Sequence, residues 1–150
     1  MTLRQLRRLA MQYTPRVTRK ARAIRWYWKS SSAEYAWVPA HELAHAFVAN
    51  PAQLTQLGFG LHDSLECDCP SFTCLVHEAA AMRLSTAWAV ACKRWDLVDW
   101  ELKYTDNLKL IYSPAIQDRA VKRLKRCGLW PEPMTVPQLR AYAETKGLHA

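Results

Sequence analysis

The chain has 150 residues, half of them hydrophobic and 23% charged, which fits a globular chain of one domain with a substantial core. No run of 18 uninterrupted apolar residues occurs and the basic N-terminus lacks the apolar stretch of a signal peptide, so neither a membrane span nor a secretory leader is expected. The formal net charge of +8 is unevenly spread: residues 1–30 carry nine Lys/Arg and no acid, residues 31–90 six acids and one base, and residues 91–150 eleven bases and seven acids.

Residues 2–13 read as an amphipathic helix with Leu3, Leu6, Leu9 and Ala10 on one side. Thr14-Pro15 is a cap followed by a first-turn proline, which predicts a second helix to about Trp28. That helix mixes Arg16, Arg19, Lys20, Arg22 and Arg25 with Val17, Ala21, Ile24 and Trp28. Ser30–Ser32 reads as a loop, and Tyr35–Val38 as a short strand or extended lead-in. Pro39 suits the first turn of a helix running to about Ala49, and Pro51–Leu57 adds a further turn or two.

Gly, Asp, Ser and Pro content makes residues 58–72 a loop. An Ala-rich buried helix follows from about Thr73 to Lys93, with Glu78 and Arg83 on either side of Met82. Across 98–112, Trp100, Leu102 and Tyr104 and then Leu108, Leu110 and Tyr112 alternate around Asp106-Asn107. That pattern fits a small hairpin or an irregular helix. Pro114 opens a helix to about Arg126, closed by Gly128; Thr135 and Pro137 open a last one to about Lys146, closed by Gly147. The expected fold class is mainly α, with α+β open at the 98–112 segment.

Chemistry concentrates in His41-Glu42-Leu43-Ala44-His45, which spells H-E-x-x-H. Two histidines four apart lie on one face of a helix, one turn from each other. Both imidazoles then reach one zinc ion, whose ligands stand about 2.0–2.1 Å away around a tetrahedron. Glu42 is placed as general base: it takes a proton from zinc-activated water and passes it to a leaving group. The alternative is a pair of hydrogen-bonded histidines on an apolar core helix. A catalytic zinc needs a third protein ligand. The candidates downstream are Glu78, its neighbour His77, and His62 and Asp63 in the loop. Without a metal role, Glu78 would be a buried acid paired with Arg83 or a nearby Lys.

The H-E-L-A-H helix, a connection of a few tens of residues, and Glu78-Ala79-Ala80-Ala81 on an apolar helix together resemble the gluzincin metallopeptidases. Small members of that group include the ImmA/IrrE-type peptidases and the metallopeptidase domain of ArdC-type antirestriction proteins. The resemblance covers about residues 38–90. It implies a compact helical zincin-like domain, zinc as cofactor, Glu78 as third ligand, and a protein or peptide substrate, with a specific target in mobile-element or host-defence biology. Metzincins place a Gly and a third His shortly after the motif, and Phe47–Leu54 supplies neither.

Cys67, Cys69 and Cys74 lie within eight residues, with His77 three further on. They are candidates for a second, structural zinc, or are reduced thiols packed in a loop. A cytoplasmic protein is expected from the lack of a leader and a membrane span, and in that reducing compartment the five cysteines, an odd number without a disulfide framework, are thiols or metal ligands. The H-x-E and P-C-x-x-C pattern of cytidine deaminases is absent, as are a Gly-rich phosphate loop and a G-x-S-x-G elbow. Candidates for stabilising an oxyanion are His62, His77 and Tyr35; candidates for orienting the imidazoles are Asp63 and Glu66.

The expected organisation is a single domain over 1–150, with 1–30 a basic helical lobe, 38–95 the metal-binding core and 114–147 the C-terminal helices. The second functional reading is a zinc-bound protein without turnover. It would hold nucleic acid or an acidic protein through Arg19, Lys20, Arg22 and Arg25, next to the aromatic run Trp26-Tyr27-Trp28.

Overall fold

A computed structural model of the chain describes residues 1–13, 33–56, 59, 61 and 71–148. Among these residues the protein is mainly helical and has no strand. In chain order the elements are α1 (Leu3–Tyr13), α2 (Ala33–Val48), the single turn α3 (Pro51–Leu54), α4 (Phe72–Ala91) and α5 (Trp95–Thr105). A 3-10 helix (Asp106–Tyr112), α6 (Pro114–Arg126) and α7 (Val136–Thr145) complete the chain. The predicted helix over 14–28 lies outside the described residues.

Local signals account for several boundaries. The side chains of Ser71, Ser113 and Thr135 cap the first turns of α4, α6 and α7 by accepting from the backbone N–H three residues on. Asn50 and Gln53 form a reciprocal capping box at α3. Gly128 and Gly147 take φ of +71° and +72° just past α6 and α7. After each, a buried leucine (Leu129, Leu148) donates its N–H back to the helix. The end of α4 has the same pattern of bonds with Lys93 in the glycine position, at φ +56°.

Of the two readings of 98–112, hairpin or irregular helix, the structure has the helical one: α5 followed by the 3-10 helix. The alternating Leu102, Leu110 and Tyr112 are exposed, and the described buried residues of these two helices, Leu97, Glu101 and Ile111, lie outside that alternation. Tyr35–Val38 is neither strand nor extended lead-in, because α2 begins at Ala33 and carries Pro39 in its interior. A proline there forfeits one backbone hydrogen bond and crowds the carbonyl four residues back. The turn that precedes it is held instead by Trp37, fully buried with its indole N–H donating to Glu101 Oε1 at 2.8 Å.

Helix α4 is the centre of the bundle, packing on α2, α5, α6 and the 3-10 helix, while α1 packs on α2 and α7. Its apolar residues occur on all sides, as a surrounded helix requires. Both partners of the α2–α4 contact are rich in fully buried alanines, among them Ala40, Ala44, Ala79 and Ala80. Phe47 and Trp88 meet edge to face at 5.5 Å, and the Trp88 indole N–H donates to Pro133 O. The amphipathic α1 buries Leu6, Leu9, Ala10 and Tyr13 and leaves Arg4, Gln5 and Arg8 in solvent.

The C-terminal end of α2 is closed from α6 and α7. Lys146 Nζ and the Tyr142 hydroxyl donate to Phe47 O at 2.6 and 3.1 Å, and Arg123 Nε donates to Val48 O at 2.9 Å. Arg123 also donates to Gln53 Oε1 at 2.6 Å. Two cations at the last carbonyls complement the helix dipole. Burial lowers the pKa of both Arg123 and Lys146. Arg123→Ala is expected to cost about 2–3 kcal/mol, the worth of charge-assisted hydrogen bonds removed from a partly buried site. Urea unfolding of the variant measures this, and an unchanged midpoint would refute the role given to Arg123.

Candidate metal centre

The H-E-x-x-H turn sits inside α2, where Ala40 and residues 42–49 are all buried. Helical spacing brings the His41 and His45 rings edge to face at 4.6 Å, with their Nε2 atoms 3.0 Å apart. Glu78, in the second turn of α4, reaches across the contact between the two helices. One of its oxygens stands 3.3 Å from His41 Nε2 and the other 3.3 Å from His45 Nε2. Among the described residues, these three form a group that could hold a metal ion. Zinc ligands about 2.0–2.1 Å from the ion stand roughly 3.3–3.4 Å from one another at the corners of a tetrahedron. The Nε2–Nε2 separation is shorter than such an edge, and the two Glu78 contacts match it through different oxygens. One ligand atom from each residue lies within 4.8 Å of the others. Two imidazole nitrogens with a carboxylate are donors that suit a divalent transition metal.

Electrostatics also favour a cation. Glu78 does not pair with Arg83, whose guanidinium donates to Gln117 Oε1 and lies over the Trp130 ring. Burial opposes ionisation of Glu78, but His45 and His41 outweigh it and hold the carboxyl well below the usual carboxylate range. Burial likewise opposes a proton on His41, but Glu101 and Glu78 outweigh it and raise the imidazole to about 10. The positive charge that these acids draw onto His41 is one that a metal ion can supply in its place.

Glu42 follows the first ligand on the same turn and is buried. Successive helical residues turn by about 100°, so Glu42 lies about 60° round the axis from His45. His77 is fully buried beside Glu78 but does not join the three-atom group. Its ring stacks on His45 at 5.2 Å, with Phe59 stacked against both. Among the described residues neither ring nitrogen of His77 finds a hydrogen-bond partner. Burial, and then the positive charges of His45 and Arg123, push its pKa well below the ordinary histidine value. A neutral His77 and the ring of Phe59, at φ +58°, thus form an apolar wall against His45.

Of the other sequence candidates, His62, Asp63, Glu66, Cys67 and Cys69 lie outside the described residues, as do Arg19, Lys20, Arg22 and Arg25 and the side chain of Tyr35. Cys74, near the start of α4, is a half-buried free thiol.

Glu101 is the site residue that sequence reasoning missed. It is 1% exposed on α5, and its carboxylate accepts from Trp37 Nε1 (2.8 Å), Ser85 Oγ (2.6 Å) and Thr86 Oγ1 (2.7 Å). Ser85 Oγ in turn lies 3.3 Å from His41 Nδ1, and Glu101 Oε1 itself 3.6 Å from that nitrogen. A helical reading of α5 would have flagged it, since Glu101 falls one turn after the buried Leu97 on the same face.

Comparisons with the families of known proteins, with characterised proteins and with solved structures find no match for this chain. No described helix is long and apolar enough to cross a membrane.

Proposed function

We propose that the protein is a zinc metallopeptidase of gluzincin type. The observation that carries this reading is the convergence of His41 Nε2, His45 Nε2 and the Glu78 carboxylate from two helices, one ligand atom from each within 4.8 Å of the others, with Glu42 beside the first ligand. His41, His45 and Glu78 would hold the ion. Zinc at such a site supplies a Lewis acid and lowers the pKa of water toward neutrality. Glu42 accepts the proton of the attacking water on its carboxylate and delivers it to the departing peptide nitrogen. Ser85 and Glu101 keep the proton of His41 on Nδ1, so that Nε2 presents a lone pair. Phe59 and His77 shield the His45 ring.

Zinc-loaded protein incubated with a diverse pool of synthetic peptides tests the proposal, with new termini read by mass spectrometry. Cleavage at defined bonds, lost with a chelator and regained with zinc, is the expected result. The nine bases and no acid of residues 1–30 favour a second reading, a metal-bound protein that holds nucleic acid or an acidic partner without turnover. One equivalent of tightly bound zinc with no cleavage, together with nucleic-acid binding that falls steeply with salt, would replace the peptidase by that reading.

A further inference from the structure

Three helices meet behind His41, on the side away from Glu78. Helix α2 contributes Trp37, one turn before His41; α4 contributes Ser85 and Thr86; α5 contributes Glu101. A carboxylate buried to 1% exposure is costly unless it is fully hydrogen-bonded. Here both oxygens are engaged. Oε1 accepts from Trp37 and Ser85, and Oε2 accepts from Thr86. Beside these donors, Oε1 also lies 3.6 Å from the Nδ1 edge of His41.

The hydroxyl of Ser85 has one hydrogen, and its 2.6 Å contact with Glu101 is shorter than its 3.2 Å contact with Met82 O. With that hydrogen donated to Glu101, Ser85 Oγ is an acceptor for His41 Nδ1–H at 3.3 Å. The relay therefore runs from His41 Nδ1–H to Ser85 Oγ–H to Glu101 Oε1. With a metal bound, it would keep the remaining His41 proton on Nδ1 and leave the Nε2 lone pair for the ion. Hydrogen-bonded acids behind a metal-bound imidazole fix its tautomer and ring orientation and raise its basicity.

We infer that Glu101 is a positioning residue of the metal centre, acting on His41 through Ser85 and holding Trp37 and Thr86 as its own supports. The inference rests on the metal-binding reading of His41, His45 and Glu78. It adds a fourth residue, from a third helix, that touches neither ion nor substrate.

Zinc affinity of the purified full-length chain tests this, measured by competition with a chromophoric chelator, along with the visible spectrum of the cobalt-substituted protein. Glu101→Gln keeps the shape and removes the charge. It should weaken zinc binding by about 10–100-fold and alter the cobalt ligand-field bands, while the stoichiometry stays at about one. Ser85→Ala breaks the relay without removing the acid and should weaken binding in the same direction. It also serves if Glu101→Gln does not fold. Thr86→Val removes a support remote from His41, and its affinity should stay within a few-fold of wild type.

Wild-type affinity and an unchanged cobalt spectrum in both Glu101→Gln and Ser85→Ala would overturn the role of Glu101 and leave the metal centre standing. No zinc bound by the wild-type chain would overturn the centre and this inference together. A loss in Thr86→Val as large as in Glu101→Gln would reduce Glu101 to a general stabiliser of the core.

Discussion

Glu42→Gln is expected to retain one equivalent of metal and to lose about 10²–10⁴-fold in peptide hydrolysis, the range removed with a general base. That loss corresponds to roughly 3–5 kcal/mol of transition-state stabilisation. The substitution changes one oxygen to an amide nitrogen in a side chain that is 6% exposed, so the packing of α2 is preserved. His41, His45 and Glu78 are untouched, which separates the proton-transfer role from ligation. The decisive comparison is kcat with the metal content measured on the same samples. Full activity in Glu42→Gln would refute the mechanism even if zinc is bound. Loss of both metal and activity would instead make Glu42 a structural residue of the α2 turn.

What could be read from the sequence divides along a physical line. Features set within one or two turns were legible. The boundaries of α6 and α7 follow from Pro114, Gly128, Thr135 and Gly147, whose backbone preferences act locally. The His41–His45 pairing follows from the pitch of a helix alone. Features set by contacts distant in sequence were not legible. Pro39 is a sound local signal for a helix start, yet α2 begins six residues earlier because Trp37 is anchored to Glu101, 64 positions away. Residues 98–112 alternate like a strand, but nothing local shows that Leu97 and Glu101 share a buried helical face.

Glu78 stands between these cases. No spacing rule ties it to His41, 37 positions earlier. Its place follows from resemblance, and in the structure the packing of α2 on α4 brings it to the two histidines. The contacts that hold the end of α2 were invisible for the same reason, since Lys146 and Phe47 are 99 residues apart. The centre thus has local parts, which any helix would supply, and distant parts, which only this packing supplies.

That division makes metal removal the sharpest test of the distant parts. Without an ion, two imidazoles and a carboxylate are held in contacts of 3.0–3.3 Å with one another, His45 buried and the other two partly so, and the packing of α2 on α4 must bear the cost of their partial desolvation. A ligand that binds only the folded chain stabilises it by about 4 kcal/mol at a thousandfold excess over Kd. For a chain of this size that corresponds to roughly 8–16 °C in Tm. Zinc added to chelator-treated protein should therefore raise Tm by that order, while magnesium, which prefers oxygen ligands, should not. Glu78→Ala should abolish the zinc-dependent rise, because two imidazoles alone leave the site without its third donor. Glu78→Ala should also destabilise the metal-free chain, since it strips His41 and His45 of an acid that offsets their burial. A zinc-dependent shift equal in Glu78→Ala and wild type would mean that the ion is held elsewhere, and the centre assigned to α2 and α4 would fall.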